Sequence, residues 1–422
     1  MSGAMARLVV LLPAVAAAVG LLAARHLDRR AAHLVAVGGS LLTLLFALLQ
    51  LVAVHADEPA RAVRTLAPLH AGELRIPLEL QATGPVALIA AVVAVVTWAV
   101  QAFAAWYLRD DDRYGVFAAT TSLFSAGMLL TVQSADLVLT LVGWEVMGWC
   151  SYLLIGHWTR KESARRAALK AFLVTRLADV GFVLGVVALA THAGSTAYPT
   201  VIASYAGDSP TLPMVLLLVG ILGKSAMFPF HDWLPYAMEG PTPASALIHA
   251  ATMVAAGTFV LAQLFDLFAA SGPARWLLAL STAVTMVWSA LLAFGQSDLK
   301  RLLAYSTLSQ VALMLSALAA APAKEGPAAG TLHLYSHAFF KALLFLAIGW
   351  LSVTVGGTAA ALLRGGQRGT CSSGRPCSWG CCRSRGCRPW SGSSRRSTCS
   401  RPPRSAPSTA RSGRGWCCSP GC

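Results

Sequence analysis

Charge is what this sequence has least of. Only 12% of its 422 residues are Asp, Glu, Lys or Arg, about half the share found in an ordinary soluble domain. Hydrophobic residues make up 56% and the mean hydropathy is +0.62, so a soluble globular domain is excluded and a membrane protein is indicated. Cysteine is nearly absent from most of the chain: of ten, nine lie from Cys371 onward and only Cys150 lies upstream. No cysteine set in the body could therefore hold an iron-sulfur cluster. Acidic residues are missing from the same tail, where twelve Arg follow from Arg364 with no Asp or Glu, leaving 21 basic against 18 acidic residues upstream. The net charge of +15 thus gives no sign of a nucleic-acid partner for the body. No glycine-rich dinucleotide fingerprint follows a strand, no metal-ligand spacing emerges, and the ten-residue alternating strands of a membrane barrel are lacking.

Long apolar runs are abundant. Segments near 6–24, 31–54, 84–108, 114–132, 136–157, 167–191, 212–230, 243–267, 276–295, 302–320 and 331–358 are each about long enough to cross a bilayer. Since only a helix or a closed barrel satisfies its backbone in lipid, the fold class is an all-α, polytopic bundle of about eleven transmembrane helices. The first segment lacks a basic leader and reads as a retained helix. Alternate loops place RHLDRR (25–30), RDDDR (109–113), TRKESARR (159–166) and DLKR (298–301) on one side. The positive-inside rule makes that side cytoplasmic and the N-terminus external. Pro229, Pro235, Pro241 and Pro243 crowd the stretch after Lys224 and, by removing backbone donors, should break that helix near its end.

A charge at bilayer depth costs at least about 2.5 kcal/mol on insertion scales, so it needs a partner or a task. Glu145 lies mid-span in VGWEVMGW, Arg176 and Asp179 in LVTRLADVG, Lys224 in LGKSAMF and His249 in LIHAATM, and His333, His337 and Lys341 share one helix. Structural ion pairing between helices is the plain alternative, above all for Arg176 and Asp179. The four-residue spacing of 333, 337 and 341 keeps two imidazoles and an amine on one face. Histidine, and lysine once desolvated, exchange protons near neutral pH, so a proton relay is the preferred reading of this ladder.

The stretches GWEVMGWCSYLLIGHW, KAFLVTRLADVGFVLG, GKSAMFPFHDWLPYAMEGPTPASALIHAATMVAAG, SDLKRLLAYSTLSQ and HLYSHAFFKALLFLAIG closely resemble the proton-pumping, antiporter-like membrane subunits of respiratory complex I, NADH-quinone oxidoreductase, of the subunit L (subunit 5) type. The same family includes the large subunit of multisubunit sodium/proton antiporters and membrane subunits of some hydrogenases. The resemblance covers roughly 5–355 and implies inverted helix repeats with broken helices. By position, it makes Glu145 the family's key glutamate, Arg176 and Asp179 its modulating pair and Lys224 the lysine of the broken helix. His249, His333, His337 and Lys341 match the central hydrophilic axis. It further implies a proton-translocating subunit of a cytoplasmic-membrane enzyme complex, with no cofactor on this chain and NADH, FMN, iron-sulfur clusters and quinone in partner subunits. The other membrane and peripheral subunits and the lipid bilayer are the expected partners. A cation/proton antiporter subunit, a hydrogenase-like membrane subunit and a non-conducting product are the alternatives.

Domains are expected at 1–110 (N-terminal helices), 111–268 (first antiporter-like repeat), 269–363 (a truncated second repeat) and 364–422 (a disordered Arg/Ser/Cys-rich tail). The tail has the composition of GC-rich DNA read in a wrong frame. Synonymous codons for Gly386 to Ser397 can be chosen so that moving back one nucleotide yields VPPLVGFFSKE, a version of the family's second broken helix. A metal-binding or disulfide-rich domain and a basic nucleic-acid arm are the rival readings of the tail. No repeated CxxC frame with histidines supports the first, and a cytoplasmic place disfavours disulfides.

Overall fold

The computed structural model describes residues 2–26, 29–56, 62–64, 67–250, 252–320, 322, 325–360, 369–370 and 376–377. The chain divides into two units, Met1–Leu363 and Arg364–Cys422. In the second, the described residues form one antiparallel pair of two-residue strands, β5 (Gly369–Thr370) and β6 (Pro376–Cys377). The expected disorder and shifted frame of 364–422 otherwise lie outside the described residues.

The first unit is a helix bundle. In chain order its helices are α1 (Ser2–His26), α2 (Arg29–Ala56), α3 (Gly84–Tyr107), α4 (Tyr114–Gln133), α5 (Leu137–Ile155), α6 (Glu162–Ala193), α7 (Tyr198–Ser204), α8 (Thr211–Lys224), α9 (Trp233–Tyr236), α10 (Thr242–His249), α11 (Met253–Gln263), α12 (Phe265–Ala270), α13 (Gly272–Phe294), α14 (Leu299–Ala320) and α15 (Gly326–Val355). Ten stretches among the described residues are long and apolar enough to cross a membrane, the stretch Thr242–Gln263 that holds α10 and α11 being one. The segment expected at 212–230 is instead the shorter helix α8. The α10–α11 run is enclosed by its neighbours, whereas Leu11, Leu22, Trp276, Leu280, Phe294 and Leu343 point outward from the bundle, as side chains facing lipid do.

Between α2 and α3, where the sequence holds no apolar span, short strands form. Strands β1 (Ala62–Arg64) and β4 (Glu79–Gln81) pair antiparallel, as do β2 (Leu69–Ala71) and β3 (Leu74–Ile76). Buried Asp136 pins this plate to the bundle. One of its carboxylate oxygens caps α5 by accepting from the Val138 and Leu139 amides at 2.7 and 2.9 Å, and the other accepts from the Leu78 amide at 3.1 Å and the Thr196 hydroxyl at 3.0 Å. Four donors, two of them at a helix N-terminus, hold a carboxylate favourably.

Helices α6 and α8 cross closely because both present glycine at the crossing. A Cβ on Gly181 or Gly185 would run into the α8 backbone, and one on Gly220 or Gly223 into Phe182 or Ala178. This small-residue seam lets polar side chains of the two helices meet inside the bundle. Helix α8 then ends as a Schellman motif: the Ala226 amide donates to the Gly223 carbonyl and the Met227 amide to the Leu222 carbonyl, with Ala226 in the left-handed region at φ 54°. The break comes before Pro229 rather than at it.

A second interruption, between His249 and Met253, was not expected from 243–267. No proline or glycine announces it. The freed carbonyls are taken by side chains instead: the Thr252 hydroxyl donates to Leu247, and His337 of α15 bonds the Ala250 carbonyl at 3.0 Å. Buried backbone groups must be satisfied, and here tertiary partners do what local sequence does not signal.

Gly185 tests the seam, since an added side chain would meet backbone atoms Leu217 N and Pro213 O at 2.7 and 2.9 Å. Gly185→Val is expected to cost about 1–3 kcal/mol through overpacking. The reading is a lower thermal midpoint and less protein in membranes; a wild-type midpoint would show that the seam can open without cost.

Candidate functional site

Helices α5, α6 and α8 bring four of the charges together. Arg176 on α6 pairs with the Glu145 carboxylate of α5, lies 3.7 Å from Asp179 Oδ2, and donates from Nη2 to the Glu145 carbonyl at 3.0 Å. Lys224, at the last turn of α8, is wholly buried. Its ammonium donates to the Trp144 carbonyl at 2.8 Å, sits 3.5 Å from Asp179 Oδ2, and lies over the Trp144 ring at 4.4 Å. The Trp144 indole donates to Asp179 Oδ1 at 2.6 Å and stacks on Phe182. Gly148 leaves room for the Arg176 guanidinium, which a Cβ there would strike. Lys224 also stands at the negative end of a helix dipole, which favours a cation.

Two acids and two bases make the group neutral when all four are ionised. Each proton moved would unbalance it in a medium where charges interact strongly. The geometry differs from a direct Glu145–Lys224 couple: Asp179 faces the lysine, and Glu145 reaches it only through Arg176. Glu145 is not wholly enclosed, its side chain being 36% exposed at the bundle flank.

The second group lies around the interrupted α10–α11 run. His337 and Lys341 of α15 and His249 of α10 are wholly buried, while His333 is partly exposed. His337 uses Nδ1 on the Ala250 carbonyl, so that nitrogen carries the proton, and Nε2 has no partner among the described residues. His333 and His337 stand 6.5 Å apart, and His333 meets Gln310 at 3.1 Å. Lys341 donates to Ser306 Oγ at 2.8 Å and to the Leu303 carbonyl at 3.4 Å. Neither ring nitrogen of His249 has a partner among the described residues, and its ring packs on Phe345. The hydroxyls of Ser225, next to Lys224 in the chain, and of Ser245 and Thr258 are buried and likewise unpartnered among the described residues. Such groups are ordinarily completed by water, which suits stepwise proton movement.

Sequence reasoning missed Trp144, Ser306, Gln310 and Lys300. The last was read as a loop charge, yet its ammonium is buried and donates to the Met238 and Gly240 carbonyls, each at 2.7 Å. The spacing of Lys300, Thr307 and Gln310 along α14 was the available signal, a polar stripe at helical period. Beside it, Glu239 holds Lys161 at 2.7 Å, Ser163 at 2.8 Å and Arg301 at 3.6 Å. Burial works against its ionisation, but these donors outweigh it and keep the carboxyl below the usual range.

At the same end, His157 bonds Asp111 at 3.1 Å, and the Trp158 indole donates to the same carboxylate oxygen at 3.2 Å. Arg113 donates to the His157 carbonyl at 3.0 Å. Burial lowers the His157 pKa despite Asp111, with the Arg113 charge adding to the effect. Burial also opposes ionising Asp111, but the Arg113 amide, His157 and Trp158 prevail and lower its pKa.

A bundle of membrane-length helices, with one helix broken just past a buried lysine and a buried imidazole and amine ladder beside it, is the architecture of an antiporter-like membrane subunit. Residues 134–362 match the family described as NADH:quinone oxidoreductase/Mrp antiporter, TM, and 69–118 match NADH-ubiquinone oxidoreductase (complex I), chain 5 N-terminus. The first match covers more than half of the chain, which belongs to that family. NADH-quinone oxidoreductase subunit L of Rickettsia felis is 35% identical over 355 residues, 82% of this chain and 54% of that protein. The subunit L of Pseudomonas aeruginosa is 39% identical over 325 residues, 75% and 52% of the two chains. The chain thus spans about half the length of the curated relatives it matches. Among solved structures, a chain of the Mrp complex from Dietzia superposes with a TM-score of 0.74 at 27% identity, covering 83% of this chain and 38% of that one. The membrane-bound sulfane sulfur reductase, an archaeal respiratory complex, shares the fold with a TM-score of 0.75 at 23% identity, covering 85% and 73%.

The His157 latch gives a signed pH dependence. Because its folded pKa is lowered, its contribution is whole above the ordinary histidine pKa of about 6.5 and is lost as pH falls below it, the unfolded chain taking the proton more readily. Purified protein should melt at a lower temperature at acidic than at neutral pH, and His157→Phe should flatten that difference. An unchanged slope in the variant would assign the effect to other groups.

Proposed function

We propose that this chain is a proton-translocating membrane subunit of an NADH-quinone oxidoreductase, moving protons with energy released by electron transfer elsewhere in the complex. The observation that carries the reading is the neutral quartet of Glu145, Arg176, Asp179 and Lys224, set beside the buried axis of His249, His337 and Lys341 with His333 at its edge. A shift of charge near Glu145 reaches Lys224 through Arg176 and Asp179, and the proton it releases passes to the imidazoles. NADH, FMN, iron-sulfur clusters and quinone then belong to partner subunits, and the chain contributes no redox centre. The basic loops face the cytoplasm and the N-terminus lies outside. Residues 111–268 form the first antiporter-like repeat and 269–363 part of a second. The likeness to the Mrp chain keeps a cation/proton antiporter subunit as the second reading. The family match ends at residue 362, and we propose that the Arg-rich stretch following it is read in a shifted frame; sequencing the DNA over codons 355 to 375 in independent clones tests this, and a confirmed frame removes the idea.

In vesicles containing the assembled complex, Glu145→Gln keeps the shape and removes the titration. It is expected to lower proton pumping about tenfold or more, equivalent to about 1.4 kcal/mol on the barrier, with the complex still assembled. Wild-type pumping in the assembled variant would reduce the quartet to structural ion pairing.

Lys224→Arg keeps a cation opposite Asp179 but cannot release its proton. Pumping should stay largely lost in this variant. Full activity would mean that fixed charge suffices and that no proton leaves this position.

A further inference from the structure

The backbone just past Lys224 is held from outside by a helix with no ionisable role in the site. Phe228 is the first residue after the Schellman turn, and both of its main-chain groups go to α13: its amide donates to Thr285 Oγ1 at 2.8 Å, and its carbonyl accepts from Ser281 Oγ at 2.6 Å. The Thr285 hydroxyl in turn donates to the Ser281 carbonyl at 2.7 Å. Both side chains are buried, and every hydroxyl proton in the clamp is committed. Ala226, two residues before Phe228, is in a left-handed conformation that a residue with a Cβ adopts only when its surroundings impose it. The residue on the other side of Ala226 is Ser225, and next to that is Lys224.

We propose that Ser281 and Thr285 are positioning residues for Lys224: by fixing Phe228 they hold Ala226 left-handed and so seat the ammonium between the Trp144 carbonyl and Asp179. The proposal rests on the proton-carrying role given to Lys224. The groups facing that ammonium are Asp179 and Arg176 from α6 and the Trp144 carbonyl from α5, with Glu145 behind Arg176. None lies on α13, so a change at Thr285 reaches Lys224 only through the backbone.

The test uses vesicles with the assembled complex and reads pumping rate and its pH profile. Thr285→Val removes the acceptor for the Phe228 amide and should lower pumping about fivefold, the factor expected of one net hydrogen bond, and displace the pH profile. Thr285→Ser should keep both at wild type. Ala226→Gly, which removes the cost of the left-handed turn, should restore much of the Thr285→Val loss. If Thr285→Val fails to assemble, Ser281→Ala, which removes only the donor to the Phe228 carbonyl, decides on the same two readings. A wild-type rate and pH profile in the assembled Thr285→Val or Ser281→Ala protein, while Lys224→Gln abolishes pumping, overturns the positioning role and leaves the proton-carrying role intact. Wild-type pumping by Lys224→Gln overturns the underlying reading itself.

Discussion

Everything in the bundle turns on carrying charge where water is scarce. Four ionisable groups on α5, α6 and α8 cancel when all are charged, and the cancellation depends on distances of 3.5 to 3.7 Å between Asp179 and the two bases. Removing one partner from such a set leaves an uncompensated buried charge, which costs more than the pair was worth. The glycine seam between α6 and α8 is the packing consequence, for bulkier residues would hold the helices too far apart for Lys224 to reach Asp179. The aromatic stack of Trp144 on Phe182 fills the space that the glycines open and offers the ammonium a ring face as well as a carbonyl.

The same scarcity governs the backbone. A helix that stops at bilayer depth exposes carbonyls that lipid cannot satisfy, so each interruption is matched by a donor from another element. At the end of α8 the Schellman turn takes two carbonyls and the Trp233 indole takes that of Gly223 again at 3.0 Å. At the α10–α11 interruption, the donor to Ala250 is His337, itself a member of the second polar group. The residue proposed to carry a proton thus also closes a gap in the backbone, and its tautomer is fixed by that second duty.

Much of this was legible before any geometry. The apolar runs gave most of the helices, though 212–230 proved to be the shorter α8 and 243–267 is interrupted, and the rarity of charge made Glu145, Arg176, Asp179, Lys224, His249, His333, His337 and Lys341 stand out. The pairing was not legible. Asp179 faces Lys224 because of where α6 crosses α8, and nothing in the linear spacing of 145, 176, 179 and 224 says which acid meets which base. Lys300 was hidden for a different reason. It opens a helix beside Arg301 in a basic loop; the polar stripe it shares with Thr307 and Gln310 hints at burial, but the fold of 233–240 is what shows its ammonium on the Met238 and Gly240 carbonyls. The α10–α11 interruption left no mark because its causes, Thr252 and His337, are ordinary helix residues until they meet those carbonyls.

The chemistry of the second group bears on which ion it would handle under the proposed function. A hard cation such as sodium needs several oxygen ligands. Around His249, His337 and Lys341 the partners seen are imidazoles, an ammonium, the Ser306 hydroxyl and single backbone carbonyls, with no carboxylate among the contacts described. A sodium ion entering there would find few oxygen ligands and no carboxylate among the contacts described. A proton needs only one lone pair, and the unpartnered Nε2 of His337 offers one while Nδ1 stays on the Ala250 carbonyl. The carboxylates that could attract a metal cation, Glu145 and Asp179, are already matched by Arg176 and Lys224. On the proposed reading, a preference for protons needs no separate filter, because it would follow from placing nitrogen bases, rather than oxygen ligands, among the buried groups.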